Sequence, residues 1–228
     1  MDTWILDAAR QAGAIIIENS LVTGFQVKVD GVSVNAKTHR GNETFKAKML
    51  VGADGTNSIV ANILHGQPPP RTNRTIGVRA YFENVAGPAD RADMHFTSQS
   101  FPGYCWLFPT GTGQANVGVG VLLETLPKSN RPKDLFNELI NSDQGLKERL
   151  RNAKVIGKLE AWPINTYDPN IPIVADRVIL AGEAAGLVNP VNGEGIQYAL
   201  LSGRWAAQTA QVSLKTGDFS QKALQTYS

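Results

Sequence analysis

The sequence predicts an α/β chain, α+β overall, in which part of a doubly wound domain carries an inserted antiparallel sheet. Three observations predict it. Residues 178–203 read as a buried strand over 178–181, a sharp turn at Gly182, a loop rich in glycine and asparagine, and a long helix from about Glu194. Residues 25–51 alternate apolar and polar positions around turn signals, as an antiparallel meander does. Between 75 and 165, strands follow one another with a single late helix, the order of an antiparallel sheet covered on one side.

Composition narrows the function classes. The 228 residues, 42% of them apolar, suffice for one large or two small domains. Basic and acidic side chains number 22 and 20 with no long run of either, so no nucleic-acid partner is expected. The single cysteine, Cys105, excludes an internal disulfide and a thiolate-rich metal site, and fits a reducing compartment. His39, His65 and His95 are scattered singly, without ligand spacing. No apolar run approaches the roughly 18 residues of a membrane span. Residues 1–13 are amphipathic rather than basic-then-apolar like a leader. A cytoplasmic protein is expected, with peripheral membrane contact left open.

In chain order, residues 2–12 place Trp4, Ile5, Ala8, Ala9 and Ala12 on one helical face, and Gly13 ends that helix before an apolar strand at 14–17. Phe25, Val27 and Val29 then alternate up to an Asp30–Gly31 turn, and Val32 and Val34 return. A second turn at 39–43 leads to a third strand at 44–51. That strand runs into Gly52-Ala-Asp-Gly-Thr-Asn-Ser58, where Gly55 permits unusual backbone angles and Asp54 and Ser58 can bond the amides opening a helix. Proline-rich residues 66–74 cannot hold regular structure and mark a boundary. Strands are expected near 75–85, 92–98, 103–109, 115–123 and 154–165, with a helix over 132–151. The resulting division is 1–74, 75–170, 171–214 and 215–228.

Two features carry the chemistry. Tyr104, Trp106 and Phe108 share one face of a strand, either as a wall packed against the 132–151 helix or as the lining of a ligand pocket. At the strand-loop-helix corner, Gly182, Gly186, Gly193 and Gly195 remove side chains where a ligand would approach the backbone. The helix beyond presents its positive end to that loop and buries Ile196, Ala199, Leu200, Gly203 and Ala207. An ordinary α/β corner has the same spacing. Gly111-x-Gly113 and Gly118-x-Gly120 open no helix, so neither is a dinucleotide fingerprint.

Residues 182–196, Gly-Glu-Ala-Ala-Gly-Leu-Val-Asn-Pro-Val-Asn-Gly-Glu-Gly-Ile, resemble the second flavin-binding motif of the geranylgeranyl reductase family of FAD-dependent oxidoreductases. The stretch from Gly52 resembles that group's Gly-Ala-Asp-Gly-x-x-Ser-x-Val-Arg motif, with Ala61 in the arginine's place. The aromatic row resembles its Pro-x-x-Tyr-x-Trp-x-Phe-Pro signature, with Pro102 one residue nearer the tyrosine.

The resemblance implies an FAD cofactor, a prenyl (geranylgeranyl-type) lipid substrate whose C=C bonds are reduced, and NADPH or reduced ferredoxin as electron donor. It implies Val22 near the adenine, Asp54 and Gly55 near the diphosphate, and Glu183, where the family has aspartate, on the ribityl or diphosphate portion. Gly193 and the amides of Gly195 and Ile196 come beside the flavin ring, and Tyr104, Trp106 and Phe108 line the lipid pocket. No catalytic acid is named. Family members open with a strand-Gly-x-Gly-x-x-Gly-helix unit, so an internal piece of a longer enzyme, binding FAD weakly by itself, is expected. Two alternatives stand beside it: an FAD-dependent monooxygenase of the aromatic-hydroxylase group, or a halogenase, on the same scaffold, and a non-catalytic lipid-binding remnant.

Overall fold

A computed structural model describes residues 2–67, 74–126 and 131–227, which form three sheets and the helices around them. Most of the proline-rich stretch lies outside the described residues. The meander comprises β1 (Leu21–Lys28), β2 (Gly31–Thr38) and β3 (Gly41–Ala47), antiparallel in that order. Gly31 closes the first hairpin because a Cβ there would stand 2.4 Å from the Ala47 carbonyl oxygen.

The expected third strand at 44–51 is two. The chain leaves the meander at Lys48, and β4 (Leu50–Gly52) joins a second sheet, parallel to β11 (Val178–Leu180), with β10 (Val174–Ala175) antiparallel beyond. Arg177 explains the switch. From a left-handed backbone (φ 63°) it donates to Lys48 O at 2.9 Å and Val29 O at 2.6 Å. Its own carbonyl accepts from Leu50 N, and its guanidinium lies 4.9 Å from the Phe219 ring centroid. One side chain thus pins meander to parallel pair.

Two further expectations need correction. Residues 14–17 form no strand: Ile15 is 89% exposed, and extended chain without a neighbouring strand gains no ladder. The helix before them, α1 (Asp2–Gln11), forms with its apolar face intact but buries none of its residues.

The five-stranded sheet runs β6-β7-β8-β5-β9, antiparallel throughout, from β5 (Arg74–Glu83), β6 (Asp93–His95), β7 (Cys105–Gly111), β8 (Gln114–Leu122) and β9 (Lys154–Asn165). One face supplies Val78, Ala80, Leu107, Val117, Val119 and Val121, all buried under Leu135, Phe136, Leu139 and Leu146. Those four belong to two helices, α3 (Pro132–Ser142) and α4 (Gln144–Leu150), where one helix over 132–151 is expected. The break is at Asp143: its extended backbone frees the carboxylate to accept from Leu146 N at 2.9 Å and to pair with His95 Nδ1 at 2.9 Å.

Past α2 (Ile59–His65) and the parallel pair, the chain ends in α5 (Ile196–Thr216) and the short α6 (Gln221–Leu224). The expected buried face of α5 is wrong. Ser202, Ala206 and Ser213 are buried, whereas Ile196, Ala199, Leu200, Gly203 and Ala207 are exposed, Ala199 even though it lies over Gly182. Helix rotation is set by a polar tie, Gly182 N donating to Ser202 Oγ at 2.9 Å, which hydrophobic periodicity cannot register.

Replacing Leu139, which is 1% exposed, by alanine should lower stability by about 2–5 kcal/mol in urea unfolding. Trp4→Ala, at a side chain 79% exposed, should change it by less than about 0.5 kcal/mol.

Candidate functional site

Strand register builds a trough on the sheet face opposite the helices. Tyr104 lies beside Gly120, its carbonyl accepting from Gly120 N; Gly120 stands opposite Gly77, and Gly77 opposite Trp162. The next row is Trp106, Gly118, Arg79 and Glu160, and the one after it Phe108, Asn116 and Tyr81. Side chains alternate along each strand, so these rows point the same way.

Glycine makes the rows usable. A Cβ on Gly118 would lie 2.2 Å from Trp106 Cζ2, so the indole lies down across that position and donates from Nε1 to Asn116 Oδ1 at 2.8 Å. Gly77 and Gly120 leave the floor beside it open. Tyr104, Trp106 and Phe108 stand with successive centroids 6.1 and 6.2 Å apart, and Phe96 lies 5.8 Å before Tyr104. The aromatic row does not pack against the helices: Cys105 and Leu107, between the aromatics, go to the helix side, and the three rings line a cavity. The trough encloses about 490 Å³, and its far wall is the loop of Asn189, Pro190, Val191 and Gly193.

Beyond Gly182, which has φ 58°, the chain makes one 3₁₀ turn and reaches that loop. Its own amides organise it. Asn189 Oδ1 accepts from Val191 N at 2.8 Å, Asn192 Oδ1 from Glu194 N at 2.9 Å, and Glu194 Oε1 from Gln197 N at 2.9 Å. Tyr104 Oη donates to the Asn192 carbonyl at 2.6 Å, joining aromatic wall to loop. Gly193, with φ 70°, turns its bare Cα towards that hydroxyl. The amides of Gly195 and Ile196 open α5 and donate to nothing among the described residues.

The other motif is built as a cap. Asp54 accepts from Ser58 Oγ and from the amides of Ile59 at 2.8 Å and Val60 at 3.3 Å, while Ser58 Oγ accepts from Ala61 N at 2.8 Å. Gly55 has φ 73° and open space where a Cβ would stand. Thr56 ties the motif to β9: its hydroxyl accepts from Trp162 Nε1 at 3.1 Å and its carbonyl from Asn165 Nδ2 at 2.7 Å.

Asn165, which sequence reasoning missed, also donates its backbone amide to Glu183 Oε1 at 3.3 Å. It is 6% exposed, and its Oδ1 has no partner among the described residues. The one sequence signal was a polar residue closing β9. Tyr104, Trp106, Phe108 and Gly193 therefore line the trough; Asp54, Gly55, Glu183, Gly195 and Ile196 lie in the motifs around it. Val22 sits in β1 opposite Ala36 and is not among the lining residues.

Behind the aromatic wall, burial and then the Asp143 carboxylate push the Cys105 thiol up to about 12, against a smaller opposing effect of its Ser100 hydrogen bond. The thiol is neutral when folded and ionises at lower pH when unfolded. Stability from this group is therefore complete below about pH 9 and is lost as pH rises towards 12. Burial also raises Tyr104, which stays a neutral phenol facing the trough. Among the described residues no group of histidine, cysteine, aspartate and glutamate side chains could hold a metal, and no helix is long and apolar enough to cross a membrane.

Residues 74–161 match the family model described as the geranylgeranyl reductase catalytic domain. A digeranylgeranylglycerophospholipid reductase from Thermoplasma acidophilum is 29% identical over 99% of this chain and 57% of its own length. Another, from Methanosphaera stadtmanae, is 31% identical over 97% and 55%. The chain thus spans about half the length of the curated relatives it matches. Among solved structures, a geranylgeranyl bacteriochlorophyll reductase-like protein from Thermoplasma acidophilum superposes with TM-score 0.87 at 26% identity, covering 99% of this chain and 56% of that one. A flavin-dependent brominase superposes at TM-score 0.79 and 20% identity, over 99% and 57%, a likeness of fold alone.

Cys105 should resist a disulfide thiol reagent in the native protein near about pH 8 and react at once in guanidinium chloride, read as thionitrobenzoate release. Tyr104→Phe should cost about 1 kcal/mol and speed hydrogen exchange at the amides of 191–195, with the five-stranded sheet unchanged.

Proposed function

We infer that this chain, which belongs to the geranylgeranyl reductase family, forms the substrate sheet and flavin-facing corner of an FAD-dependent enzyme that saturates C=C bonds of a prenyl lipid. One observation carries the reading: the aromatic wall and the glycine-asparagine loop bound a single cavity. The relatives' names point to prenyl chains borne on a glycerophospholipid.

The residues present fit a flavin. Two amides without a partner among the described residues, those of Gly195 and Ile196, open a 21-residue helix just beyond Gly193, where the loop carries no side chain. Such amides favour negative charge, as a reduced isoalloxazine carries. FAD, when bound, supplies the hydride chemistry. This chain's part is to lay an apolar chain along Tyr104, Trp106 and Phe108, to exclude water there, and to hold the Tyr104 phenol protonated by burial and oriented by its bond to Asn192.

Glu183 is assigned to the ribityl or diphosphate portion, steadied by the Asn165 amide. Asp54, already engaged with α2, shapes the Gly55 turn towards the diphosphate; Val22 is assigned to the adenine. NADPH or reduced ferredoxin supplies the electrons.

The test is to titrate FAD into the purified protein and reduce the mixture anaerobically, in excess FAD, with a geranylgeranyl lipid present. A saturable change in flavin absorbance and hydrogen gained by the lipid, seen by mass spectrometry, are expected. Trp106→Ala should weaken lipid binding about tenfold with the FAD titration unchanged. A hydroxylated product formed with oxygen would move the assignment to the monooxygenases, and lipid binding by a protein that takes up no flavin would move it to a non-catalytic carrier.

A further inference from the structure

Resting on the prenyl-lipid reading of the trough, we propose that a cationic groove formed by Arg79, Lys133 and Lys158, which borders the trough at Gly77, holds the phosphate of that lipid's headgroup. Gly77 lines both spaces, and Lys133 reaches the groove from α3 at the β9 edge of the sheet. The groove, of about 460 Å³, follows the edge strand β9 past Trp162. It lies across the sheet from the aromatic wall, with β8 and β5 between them. Three strand spacings put wall and edge about 14 Å apart, within reach of an isoprenoid chain laid over the glycine floor.

Charge suits an anion. Three cations meet one carboxylate, Glu160. That carboxylate orients Arg79 through a 2.8 Å ion pair and leaves it 39% exposed, while the guanidinium lies 4.9 Å from the Tyr81 ring centroid. A guanidinium so held keeps donors for a second anion. Lys133 and Lys158 are exposed, so their charges are available without a conformational change. Among the described residues no cation lines the trough, whereas three line the groove beside it.

The experiment compares binding of geranylgeranyl monophosphate and geranylgeraniol to the protein by tryptophan quenching. It is run at low and high salt, in wild type and in the Lys133→Gln/Lys158→Gln double variant, whose changes lie outside the trough. We expect the phosphate ester to bind about tenfold more tightly at low salt, with an advantage that salt erodes. The double variant should lose most of that advantage and bind the alcohol as wild type does. Displacement of the ester by a comparable concentration of inorganic phosphate would mean a free-phosphate site and overturn the proposal, as would an undiminished advantage in the double variant. Equal binding of both lipids sinks this inference alone. If neither lipid binds, the reading of the trough falls with it.

Discussion

The alternation of side chains across one antiparallel sheet is the constraint on which the site depends. Along β7, β8 and β5, residues of one parity are mostly apolar and buried under α3 and α4, while those of the other parity, Leu122 apart, are glycine, aromatic or polar. A one-residue slip would carry the aromatic row into the helix layer and bring Cys105 and Leu107 into the trough. The packed core beneath β7 and β8 thus fixes register for the cavity above it, and the chemistry-bearing face need not stabilise itself.

How much of this was legible in sequence divides by the range of the interactions involved. The first hairpin at Asp30–Gly31, the capped turn at Asp54–Ser58 and the strand-turn-helix corner at Gly182 rest on neighbours in the chain, and local patterns announced them. The helix break at Asp143, the rotation of α5 and the departure of β4 from the meander depend on His95, Gly182 and Arg177, partners distant in sequence. Asn165 was invisible for the same reason: its contacts to Thr56 and Glu183 lie 109 and 18 residues away. The aromatic spacing was plain, but which way the row faced was settled only by glycines on the adjoining strand. Gly118, read from sequence merely as not a nucleotide loop, proves to be the bed of an indole.

A flavin-dependent brominase shares this architecture at 20% identity, so the scaffold does not select a reaction. What can select one lies above the sheet: an apolar wall of three rings beside a floor of glycines, with Asn116, Arg79 and Glu160 in the same rows. On the proposed reading, a broad strip of this kind would take a flexible chain in several positions along its length, as reduction of successive double bonds of one molecule requires.

The tie between Tyr104 and the loop reaches a main-chain carbonyl rather than a side chain. The seam between wall and loop is therefore written on one side only. Position 192 can change identity and still receive the phenol, although the Asn192 side chain also steadies the loop by accepting from Glu194 N, whereas any residue without a hydroxyl at 104 cuts the link outright. For this one bond, the constraint on identity therefore falls on the sheet side of the junction.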